Sequence, residues 1–191
     1  FVGGYAGSGK TELGRILTRE TGWPILDKDT LTRSVVEAAL VEIGSTFSDR
    51  ESETYLNVIR PAEYEALMAA IRENIECGVS VIATAPFLRE FADAAWVERV
   101  IEEFDSLNAD VSFVWVRCTV ETMHMYLRRR GAARDAWKLA HWDEYRANIS
   151  ETFRPAGPHS IIENNPTSES LQAQARTLLR TLQPERQAKV S

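Results

Sequence analysis

Cysteine and long apolar runs are scarce in this sequence, and their scarcity excludes several classes of protein. The two cysteines, Cys77 and Cys118, lie far apart among apolar residues, so we expect two small core residues rather than a disulfide or a metal site. No apolar run approaches the roughly 18 residues that span a bilayer, and no pattern typical of a signal peptide is present. These absences predict a cytoplasmic protein with no membrane partner.

Positive charge is also in short supply. The 191 residues contain 22 Lys and Arg against 28 Asp and Glu, for a formal net charge of −6. Binding to nucleic acid or to an anionic membrane requires a basic surface, so this balance argues against both while leaving room for a local basic site. Internal repeats are absent, and the one low-complexity stretch is the polar C-terminal end. We expect a single domain over residues 1–183 and a polar tail over 184–191.

Short apolar segments alternate along the chain with longer segments of helical periodicity. Strands are predicted near residues 1–3, 23–26, 79–83, 111–116 and 160–163. Among the helices, the second is expected to have one apolar face made by Leu31, Val35, Ala38 and Ala39, and residues 88–107 are expected to form one helical region. Strands that alternate with helices are typical of a parallel sheet covered on both faces, which predicts a three-layer α/β fold.

The first helix is preceded by a glycine-rich motif that matches the Walker A pattern G-x-x-x-x-G-K-[ST] at every fixed position. Its residues are Gly4, Tyr5, Ala6, Gly7, Ser8, Gly9, Lys10 and Thr11. In such a phosphate loop (P-loop) the backbone N–H groups point at phosphate oxygens, and the helix N-terminus adds partial positive charge. Lys10 is then expected to bridge the β- and γ-phosphates, and the Thr11 hydroxyl to bind Mg²⁺. The motif predicts binding of a nucleoside triphosphate, with ATP and Mg²⁺ as cofactors.

The ends of the predicted strands separate kinases from other P-loop proteins. The N-K-x-D motif with which GTPases recognise guanine is absent, and neither the 79–83 nor the 111–116 strand ends in the acidic residue of motor-type ATPases. An acidic pair, Asp27 and Asp29, instead follows the second strand. Because side chains alternate along an extended segment, both carboxylates should project from the edge of the sheet where ligands bind. One suits the water shell of Mg²⁺ and the other a proton transfer from an attacking hydroxyl; the alternative is a helix cap.

The Walker A motif followed by Leu26-Asp27-Lys28-Asp29-Thr30-Leu31 resembles the small P-loop kinases, which are AAA-type ATP-binding proteins. These include zeta-toxin kinases, chloramphenicol phosphotransferase and the kinase domain of phage polynucleotide kinase, and the acidic pair is also similar to that of shikimate kinase. The resemblance covers about residues 1–182 in element order. It implies a nucleoside-kinase-like fold with a five-stranded parallel sheet in the order 2-3-1-4-5. It also implies that Asp29 is the general base toward the acceptor hydroxyl and that Asp27 lies near the metal.

A basic segment over residues 128–138 stands out in the otherwise acidic sequence. It follows the helix after the fourth strand, where the resembled family has its helical lid. The lid interpretation assigns Arg130 and Arg134, and next Lys138, to stabilise charge on the γ-phosphoryl group in the transition state. The alternative is a solvated charged face. After the fifth strand, Asn164 lies where the resembled kinases hold adenine, largely through backbone contacts.

Together these features predict an ATP-dependent kinase that transfers the γ-phosphoryl group to a hydroxyl of a small molecule, such as a metabolite, a sugar or an antibiotic. Two alternatives stay open. One is a polynucleotide 5′-hydroxyl kinase, which the negative net charge disfavours. The other is an ATP-binding regulatory module without kinase activity. The acceptor pocket is expected within residues 31–60 and 84–95, but their mixture of aromatic and cationic side chains does not identify the acceptor. Both a monomer and a homodimer fit the sequence.

Overall fold

The computed structural model describes residues 1–182, so residue 183 and the predicted tail lie outside the described residues. The strands are β1 Val2–Gly3, β2 Ile25–Asp27, β3 Ile82–Thr84, β4 Phe113–Arg117 and β5 His159–Glu163. The α-helices are α1 Lys10–Thr21, α2 Lys28–Glu42, α3 Arg60–Glu76, α4 Leu88–Ala92, α5 Ala94–Ser106, α6 Val120–Arg130, α7 Ala136–Ala140, α8 Trp142–Ala147 and α9 Leu171–Leu182. A π-helix, Tyr55–Ile59, runs directly into α3, and a short 3-10 helix, Ala133–Asp135, precedes α7.

The five strands form one parallel sheet in the order β2-β3-β1-β4-β5, which confirms the predicted topology. Val2 of the short central strand β1 pairs with Thr84 of β3 on one side and with Val114 of β4 on the other. At the outer edge, Asp27 of β2 pairs with Thr84, so the ends of β1, β2 and β3 lie side by side. This arrangement brings the carboxyl ends of three strands to the loop that follows β1.

Helices cover both faces of the sheet and give the three predicted layers. Alternate residues of β4 point to opposite faces, as they must in an extended strand: Val114 and Val116 join one core and Phe113 and Trp115 join the other. The first core contains apolar residues of α1 and α9, among them Leu13, Leu17, Ala175 and Leu178. The second is rich in aromatic rings and is built from α3, α4 and α5, with Leu67, Phe87, Phe91, Val97 and Phe104. The sheet is therefore a rigid platform that leaves its carboxyl edge available for a site.

The predicted apolar face of α2 is wrong. Leu31 is 48% exposed and Val35 is 73% exposed, whereas Val36 and Leu40 are buried against Tyr55 of the π-helix. The correct face is set by the segment between α2 and α3, which packs on the helix. Helical spacing shows which residues share a face of a helix, but not which face another part of the chain covers, so it could not identify the buried face of α2.

Three smaller expectations also differ from the structure. The helical region predicted over 88–107 is divided into α4 and α5 at Asp93, whose carboxylate accepts a hydrogen bond from Ala95 N and caps α5. Strand β3 begins at Ile82 rather than at Val79, which is exposed. Cys118 is buried as expected, but Cys77 follows α3 and is exposed, so it is not a core residue. Among residues 1–182, no helix is long and apolar enough to cross a membrane.

Candidate active site

The P-loop connects the end of β1 to the first turn of α1. Gly7 and Gly9 have φ angles of 83° and 96°, a left-handed conformation that glycine adopts without steric cost. Close packing also requires glycine at position 7, because a Cβ at Gly7 would lie 2.9 Å from Leu127 Cγ. The two glycines therefore allow the backbone to curl tightly at the N-terminus of α1, which is the geometry that presents N–H groups to phosphate oxygens.

Lys10 opens α1 and lies close to both aspartates. Burial lowers the pKa of Lys10 to about 8, and this loss is limited by the negative charge of Asp29, which raises it. Arg130 and Arg134 of the basic segment lie near enough to lower the same pKa. Because burial destabilises the charged ammonium, an anionic ligand such as a triphosphate would stabilise it strongly.

Asp27 lies at the last position of β2 and contacts the P-loop directly. Its Oδ2 accepts hydrogen bonds from Thr11 Oγ1 at 3.0 Å and from Thr84 Oγ1 at 2.7 Å. Its Oδ1 accepts from the backbone N and the hydroxyl of Thr30, both at 2.9 Å, so the same carboxylate caps α2. The hydroxyl of Thr11 in the Walker A motif and the carboxylate of Asp27 thus lie side by side, and both offer oxygen atoms as metal ligands.

These donors fit Mg²⁺. In phosphoryl-transfer sites Mg²⁺ keeps several waters and takes one or two protein oxygens besides the phosphates, rather than a complete protein cage. Thr11 and Asp27 provide such a set. Among the residues that the structure describes, no group of three or more His, Cys, Asp or Glu side chains could hold a metal ion by itself.

Asp29 reaches the site by a different route from the one predicted. The chain is not extended beyond Asp27: α2 begins at Lys28, so Asp29 lies in the first helical turn and the predicted alternation does not apply. Its carboxylate still faces the site, 3.1 Å from Lys28 Nζ and 3.4 Å from Arg134 Nη1, and its side chain is 33% exposed. Burial alone would raise the pKa of Asp29, but Lys28, Arg134 and Lys10 together hold it well below its usual range. Asp29 is a partly accessible carboxylate whose lowered pKa favours the ionised form.

The basic segment packs over this carboxylate, and its cations have different partners. Arg134 reaches Asp29, as described above, and Lys138 lies 3.0 Å from Glu51 in the segment that precedes α3. Arg130 instead pairs with the buried Asp135 of the same segment, at 2.5 Å and 2.8 Å. Arg134 is therefore the cation of this segment that contacts Asp29, whereas Arg128, Arg129 and Arg130 are exposed.

Asn164 is part of the site, through its side chain. Its amide Nδ2 donates to Ser8 O at 2.8 Å and lies over Gly9, where a Cβ would collide with it. The next residue, Asn165, accepts a hydrogen bond from Thr119 N at 2.8 Å. These contacts tie the loop after β5 to the P-loop and to the start of α6. Sequence reasoning placed Asn164 near the nucleotide but missed this brace, because the two loops are far apart in the chain.

Three further features of the site escaped sequence reasoning. Thr84, which is fully buried at the end of β3, is the third partner of Asp27. Tyr5, at a variable position of the motif, accepts a hydrogen bond through its hydroxyl from Ser150 N at 3.0 Å. Lys28 and Glu63 form a buried ion pair beside Asp29. Tyr5 and Lys28 belong to the motifs described above, but their contacts, and that of Thr84, join residues far apart in the chain, so only the tertiary structure shows them.

The aromatic and histidine residues near the basic segment pack rather than bind metal. Trp142 and Tyr145 lie in an apolar cluster with Tyr5 and Ala6 of the P-loop. His124 stacks on Trp142 with ring centroids 4.2 Å apart. This packing joins α8 to the P-loop.

Comparison with known proteins agrees with this architecture. The family model described as AAA domain matches residues 1–152. Shikimate kinase from Moorella thermoacetica is 32% identical over 100 residues, which are 50% of this chain and 54% of that protein. The match thus spans about half the length of this curated relative.

Solved structures with the same fold are also found. The APS kinase CysC of Mycobacterium tuberculosis, in complex with AMPPNP and APS, has a TM-score of 0.60 at 18% identity, covering 96% of this chain and 95% of that one. A gluconokinase from Sinorhizobium meliloti has a TM-score of 0.56 at 17% identity, covering 100% and 95%. At these identities the likeness establishes the fold, and the predicted resemblance to small P-loop kinases is confirmed.

Proposed function

The chain belongs to the AAA domain family, and from that premise we propose that it is an ATP-dependent kinase whose acceptor is a hydroxyl of a small molecule. The observation that carries the proposal is the separation of two carboxylates beside one P-loop. Asp27 is bonded to the Walker A hydroxyl of Thr11, whereas Asp29 faces Arg134 of the basic segment. One position suits the metal and the other suits an acceptor. We further propose that residues 1–183 act as one catalytic domain.

The donor side of the proposed reaction uses the P-loop. Its backbone N–H groups and the N-terminus of α1 would hold the phosphates, and Lys10 would neutralise charge on the β- and γ-phosphoryl oxygens. Thr11 and Asp27 would hold Mg²⁺, which when bound supplies charge neutralisation between the β- and γ-phosphates. Asn164 keeps the loop in shape through its bond to Ser8 O.

The acceptor side uses Asp29 and the basic segment. The ionised carboxylate of Asp29 would accept a hydrogen bond from the acceptor hydroxyl and orient its oxygen in line with the γ-phosphorus. It would take the proton as the new P–O bond forms and the bond from the γ-phosphorus to the β,γ-bridging oxygen breaks, with ADP as the leaving group. A carboxylate whose pKa is held so low is a weak base, so orientation is the larger part of its contribution. Arg134 and Arg130 would stabilise the charge that spreads over the γ-phosphoryl oxygens.

Two considerations favour a small molecule over the alternatives. The kinase relatives are named for shikimate, APS and gluconate, which are small acceptors in those proteins. The net charge of −6 opposes a polynucleotide, whose phosphates require a basic track. An ATP-binding module without an acceptor would have no use for an accessible carboxylate that faces a lid cation.

The test is a panel of metabolites, sugars and antibiotics assayed for acceptor-dependent release of ADP, with product phosphorylation checked by mass spectrometry. Lys10→Ala is the matched negative control, because it preserves the loop backbone and removes the phosphate-binding cation. We expect at least one hydroxyl compound to stimulate ADP release by the wild type and not by the control. ADP release that no compound stimulates would refute the kinase proposal and favour the regulatory module.

A further inference from the structure

A buried ion pair lies directly behind Asp29, and the reaction proposed above does not use it. Lys28 Nζ is 2.7 Å from Glu63 Oε1, and the side chains are only 4% and 3% exposed. Lys28 comes from the first position of α2 and Glu63 from the first turn of α3. The pair therefore joins the segment that bears both aspartates to the start of α3.

The carboxylate of Glu63 is held by more than Lys28. Thr32 Oγ1 lies 2.7 Å from its Oε1, and the hydroxyl of Tyr55 donates to its Oε2 at 2.8 Å. Tyr55 begins the π-helix, a rare conformation that frequently marks functional sites. The single proton of the Thr32 hydroxyl serves either Glu63 or Lys28 O, which lies 2.8 Å away. Lys28 and Tyr55 both donate to Glu63 and fix its position, and through it the position of the Lys28 ammonium.

Stability does not account for such a pair. The cost of removing two charges from water commonly equals or exceeds their attraction, and apolar replacements of similar volume are often neutral or stabilising. Lys28 has a further contact that an apolar residue could not make: its Nζ lies 3.1 Å from Asp29 Oδ1. The ammonium thus holds Glu63 on one side and the candidate catalytic carboxylate on the other.

We propose that Lys28, anchored by Glu63, is a positioning residue that aims the Asp29 carboxylate at the acceptor hydroxyl, an inference that rests on the proposed kinase function. In the described part of the chain, Asp29 has ion pairs with two cations: Lys28 is fixed to the fold, and Arg134 belongs to the basic segment. Without Lys28, Arg134 would be the remaining ion-pair partner of the carboxylate, which would then move with the basic segment instead of staying directed at the acceptor hydroxyl.

The test compares Lys28→Met with the double variant Lys28→Met/Glu63→Gln. The single variant leaves the Glu63 charge buried and unpaired, so its melting temperature should fall. In the double variant no charge remains unpaired, and the melting temperature should recover, while kcat should stay as much as about 100-fold below that of the wild type with KM for ATP unchanged. Val100→Ala, in the core of α5 and away from the site, is the control for destabilisation alone and should retain kcat.

Two results would overturn the inference. The first is recovery of kcat together with the melting temperature in the double variant, which would make the pair structural. The second comes from crystal structures, which need no acceptor: an Asp29 carboxylate in the same place in the double variant as in the wild type excludes a positioning role. If no compound of the panel is phosphorylated by the wild type, the kinase proposal fails while the crystal structures still decide on Lys28.

Discussion

Replacing Asp27 by asparagine should separate its role at the metal from its role in the fold. Asparagine is as good an N-cap as aspartate, so the bonds from Thr30 to the side-chain oxygen survive. The hydroxyls of Thr11 and Thr84 can rotate to accept from the new amide. What is lost is the charge, and with it an acceptor for the waters of Mg²⁺. We expect the Mg²⁺ concentration needed for half-maximal activity to rise by about 10- to 100-fold.

The alanine variant sets the scale of the structural cost. Asp27→Ala removes the cap, worth about 1 kcal/mol, and leaves the buried hydroxyl of Thr84 without its acceptor, at about 1–3 kcal/mol. For a chain of this length such a loss lowers the melting temperature by roughly 4–16 °C. Asp27→Asn should remain close to the wild type in the same measurement, because each of these hydrogen bonds has a replacement.

The assay is acceptor-dependent ADP release measured against Mg²⁺ concentration at fixed ATP, with Asp29→Asn as the matched control two residues away. Asp29→Asn should keep the Mg²⁺ dependence and lower kcat by less than the roughly 10²- to 10⁴-fold that an ordinary general base contributes, because a carboxylate of such low pKa is a weak base. If excess Mg²⁺ restores Asp29→Asn but not Asp27→Asn, the two roles are reversed. If neither variant loses activity, the pair is only a helix cap and the proposed mechanism is wrong.

Three other predictions concern the cations of the site. Lys10→Ala should abolish transfer, because Lys10 neutralises the β- and γ-phosphates; near-normal kcat in that variant would contradict the P-loop assignment. With its pKa near 8 in the free protein, Lys10 loses its charge as the pH rises, so the Kd for ATP should increase about tenfold between pH 7 and 9, and calorimetry showing a flat Kd would exclude this. Arg134→Ala should lower kcat more than ATP affinity, whereas Arg130→Ala should in addition lower the melting temperature, because the buried Asp135 loses its partner. Measuring kcat, KM for ATP and melting curves for both variants checks this. Equal losses of kcat and ATP affinity, or equal melting temperatures of the two variants, would contradict it.

Local chemistry made the P-loop and the alternation of strands with helices predictable. A Walker A motif has a short, contiguous pattern because its function depends on backbone N–H groups of adjacent residues. The alternation of apolar strands with helices of period 3.6 similarly needs only neighbours in the chain. These two signals predict a parallel sheet with helices on both faces, and the acidic pair after the second strand predicts two carboxylates at the end of β2. The strand order was implied only by the resemblance to small P-loop kinases.

The tertiary structure decided which partner each of those residues has. The sequence places Asp27 and Asp29 two positions apart, but the start of α2 at Lys28 gives them unrelated surroundings: one bonds to Thr84, 57 positions away, and the other to Arg134. The buried face of α2 and the Lys28–Glu63 pair were equally invisible, since both depend on the segment that returns from α2 to α3. Periodicity shows which residues lie on the same face of a helix, whereas burial and ion pairing depend on which other segments of the chain pack against that face.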